Sequence, residues 1–284
     1  MSYLDVYTSW YPATYGLWQG KTGGMGDHFA IGGYLIGGDV RQLSLHGGPA
    51  LIDVTLMTDA ARRRAGGLLD GGISFVTYMD PAAGQSHAAL APLPRSDVIV
   101  TYLRGQGTGY PAACCQAVQV GYDATRGADG SLTFAADCQA DGHGLEWCEQ
   151  LTAGLRTDTA PASGPGQDDG WPSGAGAQAY LQAVSFGGTS ATVTVQHAPD
   201  NATWADLIAF SPVTTAPQAQ RATASGAVAE YLRVTTSGTF SSLSFIVVLN
   251  RNQATVTPAV LDEYGFQILD EGGFQILGEA GLHA

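Results

Sequence analysis

Six histidines (His28, His46, His87, His143, His197 and His283) are the side chains of this sequence best suited to proton transfer or metal ligation near neutral pH. They fall in separate, mostly loop-like segments, so spacing assembles neither a two-histidine helical metal site nor a serine–histidine–aspartate set. Asp168-Asp169 and Asp262-Glu263 place two carboxylates side by side, as acid–base chemistry requires. Adjacent residues in flexible segments cannot hold the fixed separation such chemistry needs, and both pairs read as solvation. Gly105-Gln-Gly-Thr-Gly109 has the look of a phosphate loop but lacks the third glycine at the required offset and a following helix, and reads as a turn. Cys114, Cys115, Cys138 and Cys148 do not form a CxxC pair of pairs, which argues against zinc and for reduced, partly buried thiols. A bridge between Cys115 and Cys138 is the one alternative, should the strands carrying them face each other. The GxSxG, GxxxxGK[ST], HExxH and EF-hand patterns are absent. The sequence therefore offers no catalytic, cofactor-binding or metal-binding residue, and the expectation is a protein that is not an enzyme.

Charge narrows the partners. Of 25 acids and 12 bases, residues 1–160 hold 15 and nine, 161–170 hold two acids, 171–257 hold three of each, and 258–284 hold five acids and no base. A chain with a net charge of −13 does not grip phosphate, so any relation to nucleic acid is containment or passage. No run of about 18 apolar residues is present to span a bilayer, and Met1–Tyr11 lacks the basic-then-apolar order of a secretory signal. Synthesis and retention in a cytoplasm are expected, where the formal acceptor Asn201-Ala-Thr carries no sugar.

The elements that position these residues are mostly strands. Glycine (39) and proline (13), with many Ser, Thr, Val and Tyr, favour short strands and turns, so the fold class is all-β. Ser2 to Phe29 is aromatic and glycine-rich without a sustained period, the composition of an arm whose rings (Tyr3, Tyr7, Trp10, Tyr11 and Trp18 foremost) need a partner surface. Thr58 followed by Asp59 suits an N-cap and first turn, which places one helix near 59–69. Ile73–Tyr78 and Asp97–Leu103 alternate as strands on either side of a loop at 80–95. Ala112–Tyr122 and Ser131–Asp137 form a hairpin through the Arg-Gly and Asp-Gly steps of Asp123–Gly130.

Residues 161–175 fall within a Pro/Gly/Ser/Asp-rich stretch without periodicity and read as a linker between a first domain at 1–160, including an arm and long loop at 1–48, and a second at 176–252. The second domain alternates in six runs: Gln178–Phe186, Ala191–Gln196, Trp204–Phe210, Gln218–Ala224, Glu230–Thr236 and Ser241–Asn250, the spacing of a β-sandwich. Its aromatics Trp171, Tyr180, Trp204 and Tyr231 could serve as a sugar-stacking platform or as core. Residues 253–284 form an acidic tail with an eight-residue repeat, Glu263-Tyr-Gly-Phe-Gln-Ile-Leu-Asp then Glu271-Gly-Gly-Phe-Gln-Ile-Leu-Gly. Phe266, Ile268, Leu269, Phe274, Ile276 and Leu277 recur at matching places and are candidate intersubunit contacts together with the N-terminal aromatics.

Three stretches carry a resemblance: IDVTLMTDAARRRAGGLLDGGISFVTYMDPAAGQSHAALAPLPRSDVIVTYLRG at 52–105, QVGYDATRGADGSLTF at 119–134 and GLEWCEQLTAGLRTDT at 144–159. Residues 51–160 resemble the major tail tube proteins of long-tailed, siphovirus-type bacteriophages that infect actinobacteria. The resemblance implies a β-sandwich or half-barrel with one flanking α-helix, six copies of which close into a ring with a continuous inner β-barrel, the rings stacking into the conduit for DNA ejection. It implies as partners further copies of the chain, the tape-measure, tail-terminator and distal tail or baseplate proteins, and viral DNA passing without specific binding, all within the virion tail. The runs at 191–210 and 229–252 resemble the immunoglobulin-like or jelly-roll modules that phages append to tail proteins. Such a module fits the alternative function, adhesion to host glycans.

Overall fold

The computed structural model describes residues 24–92 and 95–252. The fold is all-β, and every strand pair is antiparallel. In chain order the strands are β1 (His28–Ile31), β2 (Tyr34–Leu35), β3 (Val40–Asp53), β4 (Arg64–Tyr78), β5 (Arg95–Leu103), β6 (Pro111–Arg126), β7 (Leu132–Ala140), β8 (Glu146–Gln150), β9 (Arg156–Asp158), β10 (Gln167–Asp168), β11 (Ala177–Ala198), β12 (Ala205–Ala209), β13 (Gln218–Ala224) and β14 (Tyr231–Arg251). A short helix, α1 (Ser86–Leu90), lies between β4 and β5.

The helix expected near 59–69 is not there. Arg64–Leu69 extends β4 and pairs with β3, Ile52 opposite Ala65 and Pro49 opposite Leu69. Thr58 and Asp59 belong to the turn, where the Asp59 carboxylate accepts the Leu56 N–H at 2.8 Å. The Ala/Arg run has helical propensity but no apolar stripe to bury, and Gly66-Gly67 costs a helix roughly 1 kcal/mol per residue, so pairing decides. The helix that does form, in the 80–95 segment, buries Ala89 and Leu90.

Two interior strands explain the first half. In β5, Val98 and Val100 face a core with Phe29, Ile73 and Phe75, while Ile99 and Leu103 face a second core with Tyr180 and Ile246. In β6, Cys115 and Ala117 take the first side, Ala112 and Cys114 the second. Burial on both faces leaves these strands no solvent face for an alternating pattern to mark. The expected hairpin forms as β6 and β7, with Cys138 opposite Gln119 rather than Cys115. No disulfide joins Cys115 to Cys138; all four cysteines are buried, and burial pushes the Cys115 thiol up to about 12 and Cys148 upward as well. These thiols pack as small apolar groups.

The six runs read in the second half are four strands. Gln178–Phe186 and Ala191–Gln196 are one 22-residue strand, β11, and Glu230–Thr236 and Ser241–Asn250 are one 21-residue strand, β14. The two pair along nearly their whole length and bend together at bulges around Ser185–Ser190. The bend folds the ladder over a core that takes Leu181 and Ala183 from one half of β11 and Val193 and Val195 from the other. Glycine is required there: a Cβ on Gly188, at φ +154°, would lie 2.4 Å from Phe240 Cα. β13 pairs with the first half of β11 and β12 with the second.

Within 161–175, β10 pairs with β14 and Ser163 bridges Thr235. Through β8, which pairs with both β6 and β14, the two halves share one sheet system.

Candidate assembly surface

The feature that stands out is a four-stranded sheet in the order β3-β4-β7-β6, with both edges open among the described residues. β3 pairs only with β4, and the 120–126 portion of β6 pairs only with β7. Its ladder register sorts the side chains. Leu43, Leu45, Ile73, Phe75, Ala136 and Tyr122 pack into the core. On the other face the register aligns Ser44 with Ser74, Ser74 with Asp137, Gln42 with Val76, and Ala135 with Asp123. That face is small, polar and acidic: Ser74 donates to Asp137 at 2.7 Å and so does the Gln139 amide. No lysine or arginine alternates onto it; Arg41 and Arg126 sit where the ladder ends, toward the β6–β7 turn. With the register fixed by pairing, the dyad period of the strands sets this face, because each residue that enters the core sends its neighbour outward.

Beyond that sheet β3 and β4 continue as a hairpin arm. From Gly47 to Asp53 and from Arg64 to Asp70 the arm is largely exposed, including Leu51, Ile52, Leu68 and Leu69, with Val54, Leu56 and Met57 in its terminal loop. At the arm's root, Gly47 and Gly71 admit Leu145: a Cβ on either would come within 2.7 Å of it. An arm with apolar side chains and unpaired edges on both sides is a surface built for a partner. The sequence pattern marks an arm and long loop at 1–48 but not this hairpin arm, although Leu51, Val54, Leu56 and Met57 are apolar beside a run of three arginines.

Polar networks hold the halves together. The Gln182 amide accepts the Gly33 N–H at 2.7 Å and donates to Ile99 O and Thr101 Oγ1, each at 3.0 Å. Glu146 receives Tyr180 Oη–H, the Gln178 amide at 3.0 Å and the Arg221 guanidinium at 3.0 Å. Burial, then neighbouring Cys114 and Glu146, pushes the Tyr180 phenol far up, so it stays a donor. Farther along, Arg251 grips Asp169 at 2.6 Å, and Asp169 also accepts from the Gln167 amide at 2.9 Å. Glu149 is half-buried with its carboxyl turned onto Asp169; burial and that negative neighbour raise its pKa well above the ordinary value, against a lowering pull from Arg251. No metal-ligating cluster is present among the described residues.

The sequence-level contact residues Tyr3, Tyr7, Trp10, Tyr11, Trp18, Phe266, Ile268, Leu269, Phe274, Ile276 and Leu277 all lie outside the described residues. The aromatics weighed as a sugar platform are dispersed in role. Tyr180 is buried in the junction, Trp204 carries the Arg233 guanidinium 4.2 Å above its ring, and Trp171 is 42% exposed. Tyr231 is opposite Asp168 in the β10–β14 ladder.

No family model matches the chain and no curated protein does. Among solved structures it is similar, at 8% identity and a TM-score of 0.27, to the Dit protein of phage SPP1, described as a paradigm of the hub adsorption apparatus in phages infecting Gram-positive hosts. That alignment covers 79% of this chain and 99% of the other. It is similar, at 10% identity and a TM-score of 0.27 over 80% of this chain and 98% of the other, to a chain of the phage p2 baseplate in its activated conformation with Sr.

Proposed function

We propose that the chain is a structural subunit of a bacteriophage tail tube, six copies closing into a ring whose inner wall is the β3-β4-β7-β6 sheet. The observation that carries this reading is the sheet itself: two open edges, one face in the core, and an opposite face that is polar and acidic without cations. Pairing β3 of one copy with β6 of the next satisfies both edges at once and turns every acidic face the same way. With strands about 4.8 Å apart and tilted about 40°, four strands from each of six copies close at a backbone diameter of about 48 Å, wide enough to pass a duplex. A cation-free wall leaves phosphate nothing to hold during transit. The exposed arm then contacts a neighbouring subunit or ring, and the β11–β14 unit decorates the outside. Tape-measure, terminator and baseplate proteins are the partners this role requires, in the virion tail.

Negative-stain electron microscopy across a concentration series tests it. Full-length protein is expected to give rings and striated tubes with lateral bumps. Leu68→Asp with Leu69→Asp, both on the exposed arm, should leave stability within about 0.5 kcal/mol and abolish tubes. Tubes unchanged by that pair, or a doubly substituted protein that no longer folds, would refute the assignment of the arm. Protein that stays monomeric at every concentration, with the purified tape-measure protein added as well, would refute the tube.

A further inference from the structure

The hairpin arm has a basic tip on an acidic protein. Arg62, Arg63 and Arg64, a quarter of the chain's 12 bases, stand exposed beside Met57, which is fully exposed, and Leu68, which is 86% exposed. Arg63 lies 3.8 Å from Asp59, and no ion pair engages Arg62 or Arg64 among the described residues. The complement to that surface is written in the same sequence. Residues 258–284 carry five acids and no base, arranged so that Asp262-Glu263 and Asp270-Glu271 each precede a Phe-Gln-Ile-Leu unit.

We infer that the acidic–apolar repeats at 262–277 dock on the β3–β4 arm of their own chain, their Phe, Ile and Leu side chains on its apolar residues and their carboxylates on the arginine triplet. The path of the chain supports the occupant. β14 runs antiparallel to β8, with Val248 opposite Gln150 and Leu249 opposite Glu149. That pairing ends there: β14 goes on beside β11 to Arg251, while β8 begins at Glu146, the residue after Leu145. Leu145 is the residue seated against Gly47 and Gly71 at the arm's root. The described chain thus ends on the strand next to β8, the strand that leads from the arm's root. From root to tip the arm is about 20–25 Å long at strand rise, and the ten residues from Asn252 to Asp262 span at most about 33–36 Å. That span exceeds the arm's own length, as docking within one chain requires.

Docking needs nothing from the tail-tube reading. Its consequence does rest on it: a subunit whose arm is occupied by its own C-terminal repeats is held from pairing, and neighbours must displace the repeats to assemble.

The test uses full-length protein carrying p-benzoylphenylalanine in place of Met57, irradiated while dilute in an equal mixture of isotopically light and heavy copies. Cross-links into the 262–277 peptide, light to light and heavy to heavy, are expected. Their yield should fall about fivefold at 1 M salt and in the Arg62→Glu, Arg63→Glu, Arg64→Glu variant, the weight of three exposed ion pairs. Adding Asp262→Lys, Glu263→Lys, Asp270→Lys and Glu271→Lys to that variant should restore it. Light-to-heavy cross-links would overturn the inference and assign the arm to a subunit contact, leaving the tube reading intact. Cross-links elsewhere in the same chain, no cross-links, or a yield indifferent to the charge reversals would overturn it outright.

Discussion

Replacing Glu149 by glutamine should make the protein more stable at neutral pH and flatten its pH dependence. Glu149 sits against Asp169, whose carboxylate is already committed to Arg251 at 2.6 Å and to the Gln167 amide at 2.9 Å. Burial and the Asp169 charge together raise the Glu149 pKa well above that of an exposed glutamate. In the folded state it keeps its proton and donates to Asp169, while in the unfolded chain it ionises near pH 4.3. The folded state therefore binds more protons between those two values, and stability falls as pH rises through that window. Each pH unit inside that window costs about 1.4 kcal/mol, so the wild type weakens steadily as pH rises through it. Glutamine keeps the shape and the donor and has no proton to lose. His197 works in the opposite sense: burial, then Arg251, lowers its pKa, so stability is lost as pH falls through the range of an ordinary histidine. It is present in both proteins and cancels in their difference. Urea unfolding from pH 4.5 to 8 measures that difference; with a slope of about 3 kcal/mol per molar, the midpoint gap should widen by about 0.5 M per pH unit. A gap independent of pH, or one that favours the wild type as pH rises, would refute the protonated-carboxyl account.

Phe245→Ala empties a fully buried site in the β11–β14 core and removes the ring under the Arg156 guanidinium, and should cost about 3–5 kcal/mol by chemical unfolding. Gly188→Ala drives a Cβ to 2.4 Å from Phe240 Cα and should cost more than about 2 kcal/mol, whereas Gly226→Ala, with open space around it, carries only the φ penalty of its turn. Asp123→Lys with Asp137→Lys reverses the acidic face; tubes of this variant should retain duplex DNA in co-sedimentation, with release on raising salt from 50 to 200 mM, while wild-type tubes retain none.

The sequence exposes those elements whose environment differs between their two faces. β7 alternates over Ala135–Gln139 and was readable to one residue at its start and three at its end; the 218–224 strand was readable at both ends, although it is partly covered on both faces. β5 and β6 are buried on both sides, so their strand character was readable but not which residue faced which core. Gly187-Gly188 looks like a break between two strands because a glycine pair is the usual mark of a turn. Here the ladder passes through it as a bulged bend, since Ser190 finds Thr239 and Phe186 finds Leu243 on either side. The Arg62–Arg64 run misled in the other direction, because intrinsic propensity favours a helix where only the partner strand, itself distant in kind and exposed, decides. The acidic face could not be named from alternation alone: a slip of one residue exchanges it with the core, and only the pairing of Ser74 with Asp137 fixes it.

The shared strands of the β11–β14 unit also determine how it bears load. In a sandwich whose layers own separate strands, one layer can peel while the other holds. Here each long strand runs through both layers and the two remain bonded around the fold, so a pull along the strands loads the ladder in shear and must rupture many bonds together. The unit behaves mechanically as a single folded ribbon, with the glycine bend as its crease.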